Sequence, residues 1–373
     1  MASFQPPNVL LLGPGPSPVP QRVLDAMARP TIGHLDPRFV AMMDEVKELL
    51  RYAFQTRNAL TVPISAPGSA GMEAAFVNLI EPGDTVVVCQ NGVFGGRMRE
   101  NVVRGGATAV MVTDAFGTVV DPEKVEAALK ANRGAKALAF VHAETSTGVQ
   151  SDASTLCGLA SQYGALSIVD AVTSLGGIPV EVDQWGADAT YSGSQKCLSA
   201  PPGLSPLSFS ERAIEAINSR QVPVHSWFLD LGLVMKYWQG GGSRAYHHTA
   251  PINMLYALHE ALTMLREESL PAAFVRHRDN HLLLERRLDE IGLDLFVAPE
   301  ARLPQLNAVR VPDGVDEAAI RARLLNEFDI EIGAGLGELA GKIWRVGLMG
   351  AGSSSENVEL VVSALAACLG RSS

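Results

Sequence analysis

The 373-residue sequence has little of what marks several whole classes of protein. It has no apolar run long enough to cross a bilayer, so a membrane role is not expected. Residues 1–20 lack the basic segment followed by an apolar one that makes a secretory signal, and the closing Arg371-Ser372-Ser373 is not a peroxisomal address. Cytoplasm is therefore the expected location. Cysteine is scarce: Cys89, Cys157, Cys197 and Cys368 are too scattered for a disulfide framework or a paired zinc motif, and reduced, mostly buried thiols are expected. Positive charge is also short. Lys and Arg number 30 against 40 Asp and Glu, the net charge is -10, and no basic block offsets it locally, which removes the attraction that nucleic-acid binders need. Internal repeats and low-complexity segments are absent as well.

What remains is the composition of an ordinary globular protein, 47% hydrophobic and 19% charged, with more residues than one core usually supports. β-rich runs at 60–65, 85–89, 108–112, 136–142 and 166–170 alternate with helical patterns, which predicts βα units on a parallel sheet. Asp121-Pro122 places an N-cap before a proline at the first helical position, and Gly134 marks the stop. Near 269–272 the pattern changes to a long charged amphipathic helix over 272–291, followed by strands around 306–311 and 330–332 and a final helix over 355–369. The expected division is an N-terminal arm 1–20, a large domain 21–265 and a C-terminal small domain 266–373. Gly13-Pro14-Gly15-Pro16-Ser17-Pro18 is neither helix nor central strand, because proline lacks the amide donor; it is an ordered arm or a loose tail.

Tyr191-Ser192-Gly193-Ser194-Gln195-Lys196 presents one lysine just beyond the carboxyl end of an apolar strand, the sheet edge at which open α/β folds bind ligands. A plain surface lysine is the bland alternative. Upstream, Leu166-Ser167-Ile168-Val169-Asp170 ends a buried strand in a carboxylate, which is costly unless a cation sits beside it. A protonated pyridine nitrogen is such a cation; an N-cap or an internal ion pair would also serve. Ala66-Pro67-Gly68-Ser69-Ala70-Gly71 leads into an apolar helix over 72–80, whose N-terminal amides favour an anion by about 0.3–1 kcal/mol. Together these residues outline a cradle for pyridoxal phosphate (PLP). Arg345 stands in an apolar strand over 343–348, where its planar fork suits a substrate carboxylate, with an internal ion pair as the alternative.

Other features have blander explanations. His247-His248 suggests a metal site, but adjacent histidines on an extended chain should point apart and no Cys or acid completes a ligand set, so no metal is expected. Gly240-Gly241-Gly242 reads as a flexible turn before Tyr246, Cys197 as buried packing, and His34 as either a surface residue or one near the substrate mouth.

In chain order, Leu12-Gly13-Pro14-Gly15-Pro16-Ser17, Phe54-Gln55-Thr56-Arg57-Asn58, Glu144-Thr145-Ser146-Thr147-Gly148, Asp170, Ser192-Gly193-Ser194-Gln195-Lys196, Tyr246-His247-His248-Thr249 and Arg345-Val346-Gly347-Leu348 resemble the class V aminotransferases, and most of all the alanine-glyoxylate/serine-pyruvate group, nearly end to end. The resemblance implies an α/β, fold-type I PLP-dependent transferase: a large domain with a mainly parallel seven-stranded sheet, a smaller C-terminal α/β domain, and an arm that crosses to the partner of a homodimer. It implies that Lys196 carries the cofactor as a Schiff base and then shuttles a proton, while Asp170 holds the pyridine nitrogen. Val172 and Phe94 would lie on the two ring faces and Thr145 near the ring hydroxyl. Gly68, Ser69 and Gln195 would hold the phosphate, with Tyr246 and Thr249 arriving from the neighbouring subunit. Arg345 would clamp the substrate carboxylate.

Against the animal members of the group, Pro67 and Ser69 replace Ser and His, Phe94 replaces Trp, and Thr145 replaces Ser. The implied reaction is ping-pong transfer of an amino group from alanine or serine to glyoxylate or pyruvate. Ureidoglycine-glyoxylate and pyridoxamine-pyruvate enzymes share the same cofactor residues. A desulfurase would need a reactive cysteine on a mobile loop, and 316–341 has none. Intact Lys196, Asp170 and Arg345 argue against a non-catalytic PLP-binding module.

Overall fold

The computed structural model describes residues 1, 3–239 and 244–371, and the expected turn at Gly240-Gly241-Gly242 lies outside them. The strands Leu60–Ile64, Thr85–Gln90, Thr108–Thr113, Ala137–Val141 and Leu166–Asp170 form where the apolar runs predict them. Three of these, Leu60–Ile64, Ala137–Val141 and Leu166–Asp170, are buried at every residue, as strands covered on both faces must be. With Ala189–Tyr191 and Ser205–Phe209 they build a seven-stranded sheet. Its order is Leu60–Ile64, Ser205–Phe209, Ala189–Tyr191, Leu166–Asp170, Ala137–Val141, Thr85–Gln90, Thr108–Thr113. Ser205–Phe209 runs antiparallel to both neighbours, whereas the remaining pairings are parallel. This is the α/β class with a mainly parallel sheet that the resemblance implied.

Helix Pro122–Ala131 shows how local chemistry sets an element. The Asp121 carboxylate accepts from the Glu123 amide, a cap worth about 1 kcal/mol, Pro122 occupies the first turn, and Val125 and Leu129 are buried. Gly134, at φ 87, then turns the chain toward the next strand.

Among the described residues two large cores follow, with smaller clusters beside them. The larger gathers residues from Phe39 to Ala273, including the central strands, and the smaller joins Leu12 to Leu284, Leu288, Trp344, Val346 and Leu365. Helix Leu270–Glu290 starts two residues before its predicted first residue, because Ser269 caps it by accepting from the Ala272 amide. Its start packs in the first core through Leu270 and Ala273, and its end in the second through Leu284 and Leu288. We propose a large and a small unit on these two cores; the expected boundary between 21–265 and 266–373 falls inside helix Ile252–Glu268, and the first core reaches on to Ala273. The second core is completed by the sheet of Leu306–Arg310, Ile343–Gly347 and Gly333–Ala334 and by helix Ser355–Leu369, capped by Ser354.

The end of the N-terminal segment is held by its own chain. Leu10–Leu11 pairs in parallel with Ile330–Glu331 of the same chain, and the Gly347 amide donates to Leu12 O at 2.8 Å. Leu12 is fully buried in the second core, so its burial ties this part of the arm to its own chain. Among the described residues no helix is long and apolar enough to cross a membrane.

Candidate active site

The strands Leu166–Asp170 and Ala189–Tyr191 are adjacent and in register, with Asp170 opposite Tyr191 at their carboxyl ends. Just beyond Tyr191 the chain makes a tight loop. Ser192 donates to Pro206 O, Ser194 to Leu204 O, and the Ser194 hydroxyl to Pro201 O at 2.6 Å. The arm closes the loop from outside, since the Ser17 amide donates to Gln195 O at 2.9 Å and its hydroxyl to Lys196 O at 2.7 Å. Lys196 is thereby fixed at the sheet edge, and its Nζ donates to Pro14 O.

Lys196 and Asp170 line one cavity of about 170 Å³, together with Gly68, Ser69, Phe94, Arg97, Thr145, Val172, Tyr191 and Gln195. Asp170 is 3% exposed, and its oxygens accept from the Val172 amide and the Tyr191 hydroxyl, both at 2.9 Å. Among the described residues it forms no ion pair, and burial, reinforced by the Glu144 charge, pushes its carboxyl up to about 7 despite those two hydrogen bonds and the Lys196 charge. The Lys196 amine is pushed down to about 8, first by burial and then by the Arg345 charge.

Arg345 is 6% exposed, with Nε donating to Ala334 O at 2.7 Å and Nη1 to Thr145 O at 3.2 Å. It pairs with no carboxylate among the described residues, which removes the internal ion pair as its explanation. Burial lowers it to about 10, opposed by the Glu144 charge. Arg345 is not in the cavity wall itself but bonds the carbonyl of Thr145, which is, and the Thr145 hydroxyl lies 2.5 Å from that of Thr173.

Gly68 and Ser69, both in the cavity wall, are the first two residues of helix Gly68–Leu79, and Pro67 before them makes no side-chain cap. The residues fit PLP on two observations: among the described residues Asp170 is a buried carboxylate without an ion-pair partner, and the Gln195 side chain carries a buried Oε1 without a partner.

Some expected residues lie elsewhere. Tyr246 is 65% exposed, and neither it nor Thr249 lines the cavity of its own chain. His34 sits beside Tyr237 and Tyr246, outside the cavity wall. The expectation that His247 and His248 point apart is overturned: their Nδ1 atoms are 2.8 Å apart, because this segment is irregular and not an extended strand. No group of three potential metal ligands occurs among the described residues. The four cysteines are free and buried. The sequence reading missed Pro14 and Ser17, which hold the Lys196 loop, and Arg97, whose guanidinium lies 4.7 Å from the Phe94 ring centroid. Tyr191 was findable as the residue that strand alignment sets opposite Asp170.

A family model described as aminotransferase class-V matches residues 9–349. The chain belongs to the class V aminotransferases. As a member it is a PLP-dependent transaminase. It is similar to a crystal structure of an alanine-glyoxylate aminotransferase from Nostoc sp., with 48% identity, TM-score 0.97, and coverage of 99% of this chain and 97% of that one. A ureidoglycine-glyoxylate aminotransferase from Bacillus subtilis gives 39% identity and TM-score 0.96, covering 99% of this chain and 94% of that one. The alanine-glyoxylate aminotransferase of Callithrix jacchus is 42% identical over 96% of this chain and 87% of its own length. A cysteine desulfurase from Thermococcus onnurineus, 16% identical with TM-score 0.75 over 97% of this chain and 98% of that one, shares the fold alone.

Proposed function

We propose that this class V aminotransferase takes the amino group of alanine or serine and delivers it to glyoxylate or pyruvate. The observation that carries the reading of the site is Asp170, a buried carboxylate without an ion-pair partner among the described residues, lining the same cavity as the Lys196 amine. PLP, when bound, supplies the electron sink for breaking the donor's Cα–H bond.

The chain's own residues do the rest. Asp170 would keep its negative charge by pairing with the protonated ring nitrogen, and Tyr191 would hold that carboxylate in line. Lys196 would anchor the cofactor covalently and, once released, carry the proton at the donor Cα; an amine lowered to about 8 is suited to both tasks near neutrality. Val172 and Phe94 would sandwich the ring, Thr145 would meet its hydroxyl, and Gly68, Ser69 and Gln195 would hold the phosphate. Arg345 would bind the carboxylate common to donor and acceptor.

We further propose a homodimer in which Tyr246 and Thr249 of one protomer complete the phosphate site of the other, in keeping with their exposure and their absence from their own cavity. A cytoplasmic setting suits four free, buried cysteines.

A ureidoglycine donor is the second reading, supported by the 39% identity to the Bacillus subtilis enzyme named for it. The test is the visible spectrum of the holoenzyme during addition of L-alanine, L-serine or ureidoglycine, followed by glyoxylate. Bleaching of the cofactor band by alanine or serine, and its return with glyoxylate, is the expected result. A response to ureidoglycine alone would replace the first reading with the second.

A further inference from the structure

Helix Val93–Arg104, which carries Phe94, begins without a cap of its own, because Gly92 before it has no side chain to accept a hydrogen bond. The first amides of a helix have no intrahelical acceptor and must find one elsewhere when buried. Here the acceptors come from another loop. The Val93 amide donates to Ser146 Oγ at 2.9 Å and the Phe94 amide to Glu144 Oε2 at 3.2 Å. Ser146 in turn donates to Glu144 Oε1 through its amide at 2.9 Å and its hydroxyl at 2.6 Å. Both residues are wholly buried. The missing side chain at residue 92 is part of the arrangement, since a Cβ there would overlap the Glu144 carboxyl group.

Three donors point at the two Glu144 oxygens, at the positive end of a helix, which is the pattern of an ionised carboxylate. Among the described residues Glu144 makes no ion pair, and burial pushes its carboxyl up, opposed first by the hydrogen bonds from Ser146 and Phe94 and then by the Arg345 charge. Between Glu144 and Ser146, Thr145 presents its carbonyl to Arg345 Nη1 and its hydroxyl to Thr173. One three-residue loop therefore touches the helix start that carries Phe94, the wall of the cofactor cavity, and the guanidinium behind it.

We infer that Glu144 is a positioning residue of the amino-transfer site: through the cap it shares with Ser146, it sets Phe94 and Arg345 as one unit. The inference rests on the proposed roles of Phe94 at the cofactor ring and Arg345 at the substrate carboxylate. A simple helix cap would affect stability alone. A positioning residue must also affect how the cofactor and the substrate carboxylate are held.

The test compares the holoenzymes of wild type, Glu144→Gln, Ser146→Ala and the double variant. The readouts are the rate of PLP loss on dilution, the visible circular dichroism of the bound cofactor, KM against kcat for the amino donor, and Tm. Losing one charge-assisted hydrogen bond corresponds to roughly 10-fold. Glu144→Gln should therefore release PLP ~10-fold faster, alter the circular dichroism, and raise KM more than it lowers kcat. Ser146→Ala should move the same readouts less, and the double variant should fall short of the sum of the two, because both act through one cap. Variants that lose only Tm, with PLP retention, dichroism and KM as in wild type, would overturn the inference, as would additive effects. If Glu144→Gln does not fold, Ser146→Ala decides on the same readouts. A wild-type protein that fails to retain PLP would overturn the proposed site itself, a separate outcome.

Discussion

The Lys196 amine donates to the carbonyl of Pro14, 182 residues earlier in the chain. A proline-rich arm suits this task, since it cannot join a helix or a central strand and so leaves carbonyls free for other donors. Gly15 makes the contact possible. It lies at φ 107, and a Cβ there would overlap the Lys196 side chain. Gly15→Ala should therefore displace Lys196 and slow the capture of PLP by the apoprotein on the order of 10-fold or more, since strain of this kind costs about 1–3 kcal/mol. Stopped-flow absorbance of apoprotein mixed with PLP checks this, and an unchanged rate in a folded variant refutes it.

The same amine sets a pH dependence. With Lys196 lowered to about 8, its neutral form grows as pH rises through 8, well below the 10.5 of an ordinary lysine. The rate of PLP capture should rise with a midpoint near pH 8. Because the Arg345 charge contributes to the lowering, Arg345→Gln should move the midpoint upward while raising KM for the donor. A midpoint unmoved by the substitution would separate the two residues.

Asp170 gives a second pH prediction of opposite sign to the usual carboxylate case. Its pKa is raised from 3.8 to about 7, so in the apoprotein its contribution to stability is complete below about 4 and is lost as pH rises through 7. Thermal melts of the apoprotein should show this loss between those limits, and Asp170→Asn should flatten it. In the holoenzyme the same substitution would remove the proposed partner of the ring nitrogen and should lower kcat on the order of 100-fold. Enhanced activity, or a pH profile of stability unchanged in Asp170→Asn, would contradict the assignment.

Stability away from the site should respond to helix caps. Ser354 caps the final helix by accepting from the Asn357 amide, and that helix supplies Val358, Val361, Val362 and Leu365 to the second core. Ser354→Ala should destabilise by about 1 kcal/mol, read as a lower urea midpoint with activity per folded molecule retained.

Several parts of this protein were determined by sequence alone. Apolar runs of strand length at 85–89 and 166–170, a capping Asp121 and the serines before residue 355 act within a few residues of themselves, so the elements they specify are readable locally. The Asp170 and Lys196 positions were legible for a related reason. A carboxylate ending a buried strand and a lysine just past the next one break the hydrophobic pattern where a parallel sheet puts its ligands.

Tertiary structure alone decided which groups meet. The docking of Leu12 in its own chain's second core, the Pro14 carbonyl on Lys196, the cap that Glu144 and Ser146 lend to a helix fifty residues away, and the contact between His247 and His248 have no local pattern. Periodicity records whether a side chain is buried, because burial repeats with the geometry of the element. The partner that satisfies a buried polar group depends on how distant segments close on one another, and that is settled only when the whole chain has packed.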